Sequence, residues 1–267
     1  MATDILTLSN GMEFMHVPAG KFLMGSTEED KSASSDEHPQ HTVDIPYDYW
    51  IARFPITNKQ YDAFSGEKGG PPPFVREKGL IMWWNNVPAG ISWTSAMAYC
   101  KRLNHILDGK LPQGSVLRLP TEAEWEKAAR GTDGRLYPWG NEFSEEKCNA
   151  YKSVLAPVGS YSPLGDSPYG CADMIGNAKE WCHSLYSPYP YKSYDGREDE
   201  KDSGARVLRG SSIMRDGNEA RCAARWSMAP NDWLINISSF RLVLSPFPKK
   251  RGVLDLLKLR APSYPLW

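Results

Sequence analysis

The sequence has no long apolar run. No stretch of its 267 residues approaches the ~18 apolar residues of a membrane span. The N-terminus, MATDILTLSNGMEF, lacks the basic start and following apolar run that are typical of a signal peptide. We therefore expect a cytoplasmic protein that does not bind a membrane.

Neither charge is in excess. The chain has 31 Lys and Arg against 32 Asp and Glu, and its longest basic run is Lys249, Lys250 and Arg251. A protein that binds nucleic acid usually carries a basic excess or a basic stripe. The balance argues against a nucleic-acid partner.

Cysteine is sparse, and no two cysteines form a CxxC pair. The five residues are Cys100, Cys148, Cys171, Cys182 and Cys222. An odd number without metal-type spacing favours free thiols in a reducing compartment over a disulfide framework or a zinc site.

The sequence also lacks the alternation of strands and helices that is typical of a doubly wound sheet. It is rich instead in Trp (10), Tyr (13), Gly (22) and Pro (21), a composition that indicates short strands and ordered loops. Two segments alternate apolar and polar residues. The pattern predicts a β-hairpin in MEFMHVPAGKFLMGS and a second strand pair in HTVDIPYDYWIARFPIT.

Three helices are signalled by their ends. Thr57 with Gln60, and Thr121 with Glu124, form capping-box patterns at two helix starts. The segment 93–107 places apolar residues on one helical face, and Gly131 ends the helix that follows Thr121. Residues 131–206 are loop-like and dense in aromatics. With no linker or repeat, we predict one domain over 1–247 and a C-terminal tail over 248–267.

Eight ordered motifs resemble one family. PAGKFLMGS, ARFPITNKQYDAF, RLPTEAEWEKAARG, YPWGN, SPYGCADMIGNAKEW, RVLRG, RCAAR and FRLV are similar to segments of the sulfatase-modifying, formylglycine-generating-enzyme family. The resemblance covers about residues 10–247. It implies an α+β, C-type lectin-like fold with a small twisted antiparallel sheet, two main helices and extensive ordered loops.

The resemblance does not extend to catalysis. Family enzymes bind copper through two cysteines that lie between the RGGS-like turn and the RCAAR-like strand. The matching residues here, 212–220, read SIMRDGNEA and contain no cysteine, while Cys222 matches a structural position. Soft thiolates are the ligands that Cu(I) requires. We therefore expect no copper and no formylglycine-generating activity.

The segment DMIGNAKE is the candidate metal site. Two carboxylates, Asp173 and Glu180, flank a glycine that permits a tight turn, and hard oxygen ligands suit calcium. The resemblance implies a structural Ca²⁺ held by the side chains of Asp173 and Glu180 and the carbonyls of Gly176 and Ala178. The alternative is that Asp173 caps a turn and Glu180 pairs with an arginine.

The C-terminal segment, about residues 211–237, is the candidate binding surface. It places large apolar side chains between the strand-like pieces RVLRG, RCAAR and FRLV, in loops that normally carry polar residues. The alternative is that some of these residues, Trp233 and Ile235 especially, fill the core. The predicted contact residues are Ser212, Ile213, Met214, Arg215, Asp216, Asn218, Trp226, Met228, Asn231, Asp232, Trp233, Leu234, Ile235 and Asn236.

Such a segment is similar to the variable proteins of diversity-generating retroelements, a non-enzymatic branch of the fold. That resemblance implies a binding protein whose C-terminal surface contacts an unknown protein or other ligand. The alternatives are an enzyme with a cysteine-free site near Arg221, Arg225 and Arg241, and an inactive paralogue of the enzyme. The sequence does not indicate an oligomeric state.

Overall fold

Eleven strands and four α-helices make up the part of the chain that the computed structural model describes, residues 4–65, 81–152, 154–213, 219–232 and 238–246. The strands are β1 (Ile5–Thr7), β2 (Glu13–Val17), β3 (Gly20–Met24), β4 (His41–Ile45), β5 (Tyr49–Ala52), β6 (Ser115–Arg118), β7 (Lys179–Leu185), β8 (Arg206–Arg209), β9 (Arg225–Met228), β10 (Ser238–Ser239) and β11 (Val243–Pro246). The helices are α1 (Asn58–Ser65), α2 (Ile81–Asn86), α3 (Trp93–Ile106) and α4 (Glu122–Arg130). Within these ranges no helix has the length and apolar character needed to cross a membrane.

The strands form three sheets. The first has the order β1-β2-β5-β11-β6 and is antiparallel, and β3 pairs with β4 in a separate two-stranded ladder. The third sheet has the order β10-β7-β8-β9, with β10 parallel to β7, and its strand β9 belongs to the C-terminal segment. In this sheet β9 is an edge strand.

The predicted hairpin and the second predicted strand pair are wrong. All four strands exist, but β2 pairs with β5 and β3 pairs with β4, in two separate antiparallel ladders. Pro18 and Pro46 lie between the two ladders, and a proline has no backbone N–H to donate to a ladder. The Asp48 carboxylate accepts the Ala19 N–H at 2.7 Å in the same gap.

The predicted helix ends are confirmed. At the start of α4, the Glu124 N–H donates to Thr121 Oγ1 (3.2 Å) and the Thr121 N–H donates to Glu124 Oε2 (2.8 Å). The same reciprocal pattern joins Thr57 and Gln60 before α1. Gly131 ends α4 with a φ of 73°. The short helix α2 carries none of these sequence signals and was not predicted.

Helix α4 is buried along its whole length, including its charged residues. It packs against β3, β4, β7 and β8, and Trp125 at its centre is fully buried. A buried charge is costly unless it is paired and hydrogen-bonded. The charged side chains of α4 therefore need partners from the surrounding elements.

Arginines supply those partners. Three glutamates of α4 form buried ion pairs that connect the helix to β6, β8 and β9. The pairs are Arg225 with Glu122 (2.6 Å), Arg209 with Glu122 (3.3 Å) and with Glu126, Arg130 with Glu126 (2.8 Å), and Arg118 with Glu124 (2.6 Å).

Two more arginines tie the end of the chain to its beginning and middle. Arg241 donates to both carboxylate oxygens of Glu180, at 2.6 and 2.7 Å, and Arg221 makes the same kind of paired contact with Glu37 at 2.7 Å. These are charge-assisted, bidentate contacts, the strongest class of hydrogen bond in proteins. The buried pairs therefore hold the C-terminal strands in place.

The C-terminal strands do not follow the motifs as predicted. RVLRG contains β8, as expected, but 221–223 is a turn and the strand after it begins at Arg225. Trp226 and Met228 therefore lie in a strand, not in a loop. The domain boundary at 247 is untested, and the 248–267 tail lies outside the described residues.

Replacing Arg241 with Gln leaves Glu180 buried without its cation. We expect Arg241→Gln to lower the free energy of unfolding by about 3–5 kcal/mol. The matched control is Arg135→Gln, because Arg135 forms an exposed pair with Asp133, and its loss costs no more than about 1 kcal/mol. Denaturant unfolding measures both values, and equal losses would contradict a structural role for the buried pair.

Candidate binding surface

Six of the predicted contact residues are described by the structure: Ser212, Ile213, Trp226, Met228, Asn231 and Asp232. The others, Met214, Arg215, Asp216, Asn218, Trp233, Leu234, Ile235 and Asn236, lie outside the described residues. The six fall into three groups that differ in exposure.

Ser212 and Ile213 are buried, so their prediction as surface contacts is wrong. Ile213 packs with Val87, Leu155 and Ala178 in a small apolar cluster. The backbone is held as well, because the Lys152 N–H donates to the Ile213 carbonyl at 3.1 Å. Apolar character and position in a turn did not distinguish a core residue from a contact residue here.

Trp226 and Met228 are half-buried on the edge strand β9. Side chains alternate along a strand, so these two share one face while Arg225 points to the opposite face and reaches Glu122. Both pack partly on the core, and the Lys179 ammonium lies 4.5 Å from the centre of the Trp226 ring. They combine a fixed position with partial exposure to solvent.

Asn231 and Asp232 are exposed in the turn that follows β9. This turn is attached to the start of α3, where the Thr94 hydroxyl donates to Asn231 Oδ1 at 2.7 Å and to the Pro230 carbonyl at 3.1 Å. The structure thus places Trp226 and Met228 on β9, and Asn231 and Asp232 in the turn that directly follows it.

The sequence did not single out Lys179 or Thr94 as neighbours of this surface. Lys179 comes from β7 and Thr94 from α3, both distant in sequence from β9. Their proximity follows from sheet order and helix packing. No local motif carries that information.

Glu180, one of the predicted calcium ligands, already has its carboxylate oxygens occupied by other partners. Both carboxylate oxygens of Glu180 accept from Arg241, and one also accepts from the Trp125 Nε1–H at 2.8 Å. Calcium needs about six to eight oxygen ligands. Among the described residues no group of three or more His, Cys, Asp or Glu side chains is arranged to hold a metal ion. Glu180 therefore matches the alternative given by the sequence, in which it pairs with an arginine.

Asp173 caps a turn, the other alternative from the sequence. Its Oδ2 accepts the Gly159 N–H at 2.6 Å, and its backbone has a φ of 55°. Burial raises the pKa of its carboxyl to about 6, despite the opposing effects of that hydrogen bond and of Arg241. The carbonyls of Gly176 and Ala178 stay predicted calcium ligands. With Glu180 paired to Arg241, Asp173 is the one predicted carboxylate ligand left.

The cysteines carry no activated thiol. All five are buried and free. Burial raises the pKa of the Cys222 thiol to about 12 and that of Cys171 to about 11. A nucleophilic or metal-binding cysteine requires a lowered pKa.

The three arginines named for the alternative enzyme site do not form a common site. Arg221, Arg225 and Arg241 are each bound to a buried carboxylate, as described above. At β7, one histidine lies between two carboxylates. His183 Nδ1 is 2.7 Å from Glu198, and its Nε2 is 3.4 Å from Glu200. The neighbouring Ser184 hydroxyl donates to Glu198, not to His183. The cluster holds the 186–205 loop and does not pair a nucleophile with a base.

Comparison with known proteins decides the family. Residues 7–246 match the model of the sulfatase-modifying factor enzyme 1-like domain. The chain belongs to this family. The predicted α+β, lectin-like fold of the formylglycine-generating type is confirmed with it.

The relatives of this chain have names that describe different activities. The inactive C-alpha-formylglycine-generating enzyme 2 of Mus musculus is 29% identical, and the match covers 81% of each chain. The formylglycine-generating enzyme of Thermomonospora curvata is 28% identical, covering 86% of this chain and 92% of that protein. The serine/threonine-protein kinase pkn1 of Chlamydia caviae is 30% identical, but this chain covers only 35% of its length.

Solved structures share the fold of this family member. PvdO from Pseudomonas aeruginosa superposes with a TM-score of 0.71 at 22% identity, covering 91% of this chain and 98% of that chain. Treponema denticola variable protein 1 gives 0.68 at 22% identity, covering 92% and 100%. At this identity the likeness concerns the fold alone.

Ionisation of Asp173 opposes folding. Its folded-state pKa lies above the ordinary 3.8, so the penalty is absent below about pH 4 and grows as the pH rises to about 6, reaching up to about 3 kcal/mol. Asn keeps an acceptor for the Gly159 N–H and tolerates a positive φ. In a chelating buffer, we expect Asp173→Asn to raise Tm at about pH 8 and to change it little at about pH 4.

The same experiment tests calcium. An ion that binds only the native state raises Tm, so its removal lowers Tm. We expect chelation to leave the wild-type Tm unchanged. A wild-type Tm that falls on chelation and recovers with Ca²⁺, while that of Asp173→Asn does not respond, would contradict this reading and restore the calcium site.

Proposed function

We propose that this chain is a non-catalytic binding protein that uses its C-terminal segment, residues 211–237, to contact a protein or other ligand. The observation that carries the proposal is the edge strand β9. It holds Trp226 and Met228 half-exposed on one face, while Arg225 on the other face is buried against Glu122. Trp226 and Met228 take no part in that ion pair, so these positions are able to change without removing it.

The residue types support a contact role. Aromatic residues and methionine are enriched in protein interfaces, and fixed, partly buried anchors dominate their energetics. Asn231 and Asp232 add polar groups at the margin of the surface. Pro230, Asn231 and Asp232 also faintly resemble a sugar-binding motif, although its partner motif is missing from the sequence.

The comparisons support a non-enzymatic reading. The mouse relative is named as inactive, and residues 212–220 contain no cysteine. Treponema denticola variable protein 1, which shares the fold, is named as a variable protein. We therefore assign this chain to the variable proteins of diversity-generating retroelements, with the inactive paralogue as the second candidate.

Sequencing the gene from several isolates distinguishes the two. We expect the differences to be confined to the codons for 212–237 and to be traceable to adenines in a nearby template repeat. The codons for 1–205 serve as the internal control, because they encode the scaffold. Differences spread evenly along the chain would overturn the assignment and favour the inactive paralogue.

A further inference from the structure

The 186–205 loop lies over the buried pair of Arg225 and Glu122. The Ser187 carbonyl accepts from Arg225 Nη2 at 2.9 Å, and the Arg225 guanidinium carbon lies 4.0 Å from the centre of the Tyr189 ring. The Tyr189 hydroxyl donates to Glu122 at 3.2 Å. A displacement of this part of the loop therefore admits water to a pair that is otherwise buried.

The first half of the loop is attached to β4 through His41. The Tyr191 N–H donates to His41 Nε2 at 2.8 Å, and His41 Nδ1 lies 2.8 Å from the Pro39 carbonyl oxygen. An N–H only donates and a carbonyl only accepts, so the two partners together require the neutral ring with its hydrogen on Nδ1. The half-buried His41 ring also packs edge-on against Tyr189, with ring centres 4.9 Å apart.

A proton on His41 removes the acceptor for Tyr191. The protonated imidazole carries a hydrogen on both nitrogens, so its Nε2 hydrogen and the Tyr191 amide hydrogen face each other across the 2.8 Å that separates the two nitrogens. The Nδ1 hydrogen keeps its bond to Pro39. Imidazoles take up a proton in mild acid, above the ordinary range of carboxyl groups. Mild acid therefore breaks the attachment of the loop to β4.

The described groups that face His41 do not compensate such a proton. Met24 lies opposite His41 on β3. On the loop side, the Tyr189 hydroxyl leads to Glu122 and Glu126, at 3.2 and 3.5 Å. Both acids already belong to the arginine pairs of α4. In the part of the chain that the structure describes, protonated His41 thus gains no ion pair in exchange for the lost hydrogen bond.

The second half of the loop is attached to β7 through His183, with the opposite requirement. This ring lies between Glu198 and Glu200, and carboxylates only accept, so the ring that donates from both nitrogens fits best. Burial lowers the pKa of His183, but its hydrogen bonds to Glu198 and Glu200 outweigh burial and raise the pKa above its ordinary value. Mild acid therefore preserves this attachment, which weakens as the pH rises through the raised pKa.

Cations from three other elements also surround His183. Lys101 of α3 lies 3.9 Å from Glu200, and Arg206 of β8 donates to the His183 carbonyl at 2.9 Å. Arg118 of β6 lowers the pKa of His183. The two carboxylates outweigh these cations, because the pKa is raised in their presence.

We propose that the 186–205 loop is an acid-released cover over the pair of Glu122 and Arg225. Its first half, 186–194, leaves β4 when His41 takes up a proton, and its second half, 195–205, stays attached through His183 and acts as the hinge. Because Arg225 belongs to β9, the cover makes the surroundings of that strand depend on pH. The proposal uses none of the predicted contact residues and stands apart from the proposed function.

The test is amide hydrogen exchange on the full chain, followed by mass spectrometry at about pH 5 and about pH 7.5. Each rate is divided by the intrinsic exchange rate at the same pH, so that the comparison reports protection alone. We expect the protection of 186–194 to fall by about fivefold or more at the lower pH, because the Tyr191 N–H loses its acceptor. Residues 195–205 keep their protection.

His41→Gln separates the proton from the fold. The Gln side-chain oxygen accepts the Tyr191 N–H and does not titrate, so we expect equal protection of 186–194 at the two pH values. The matched control is His16→Gln, because the partners of His16, Asp48 and Trp50, lie outside the loop. This control keeps the pH dependence of the wild type. Thermal melts at both pH values verify that the variants are folded.

His183→Gln tests the hinge. It removes the ring that donates to both carboxylates, and we expect it to lower the protection of 195–205 at about pH 5. The proposal is overturned if wild-type 186–194 is equally protected at both pH values, or if its protection falls as much in His41→Gln as in the wild type. A wild-type loss at about pH 5 that is as large over 195–205 as over 186–194 overturns the hinge.

Discussion

The described fold depends on arginine–carboxylate pairs that are removed from water. Arg209, Arg225 and Arg241 come from the last third of the chain, and their partners lie on α4 and β7. Burying either member alone costs several kcal/mol, so each pair favours the arrangement that brings its two segments together. Here the pairs connect β8, β9 and the segment just before β11 to α4 and β7.

This constraint fixes β9, the strand within the C-terminal segment, through the pairing of Arg225 with Glu122. On β9 the side-chain period of two sends Arg225 inward and leaves Trp226 and Met228 on the other face. The turn that follows is attached to α3 through Thr94. On the inner face the Glu122 carboxylate is paired with Arg225 and Arg209.

Local signals in the sequence predicted the local structure correctly. The capping boxes at Thr57 and Thr121 and the stop at Gly131 each depend on residues within one helical turn. Strand pairing depends on distant residues, and the predicted hairpin and strand pair were wrong because β2 pairs with β5 and β3 with β4. The burial of Ile213 and the pairing of Glu180 with Arg241 also depend on residues that are distant in sequence. The sequence around each residue therefore left two alternatives open.

The most direct test of the central claim compares two libraries of equal size. One randomises Trp226, Met228, Asn231 and Asp232, and the other randomises Glu122, Glu126, Arg209 and Arg225. The fraction of clones that yield soluble protein with cooperative thermal unfolding is then counted. If buried ion pairs hold the scaffold, most clones of the first library fold in this way and very few clones of the second library do. Similar fractions in both would contradict the separation of scaffold from binding surface.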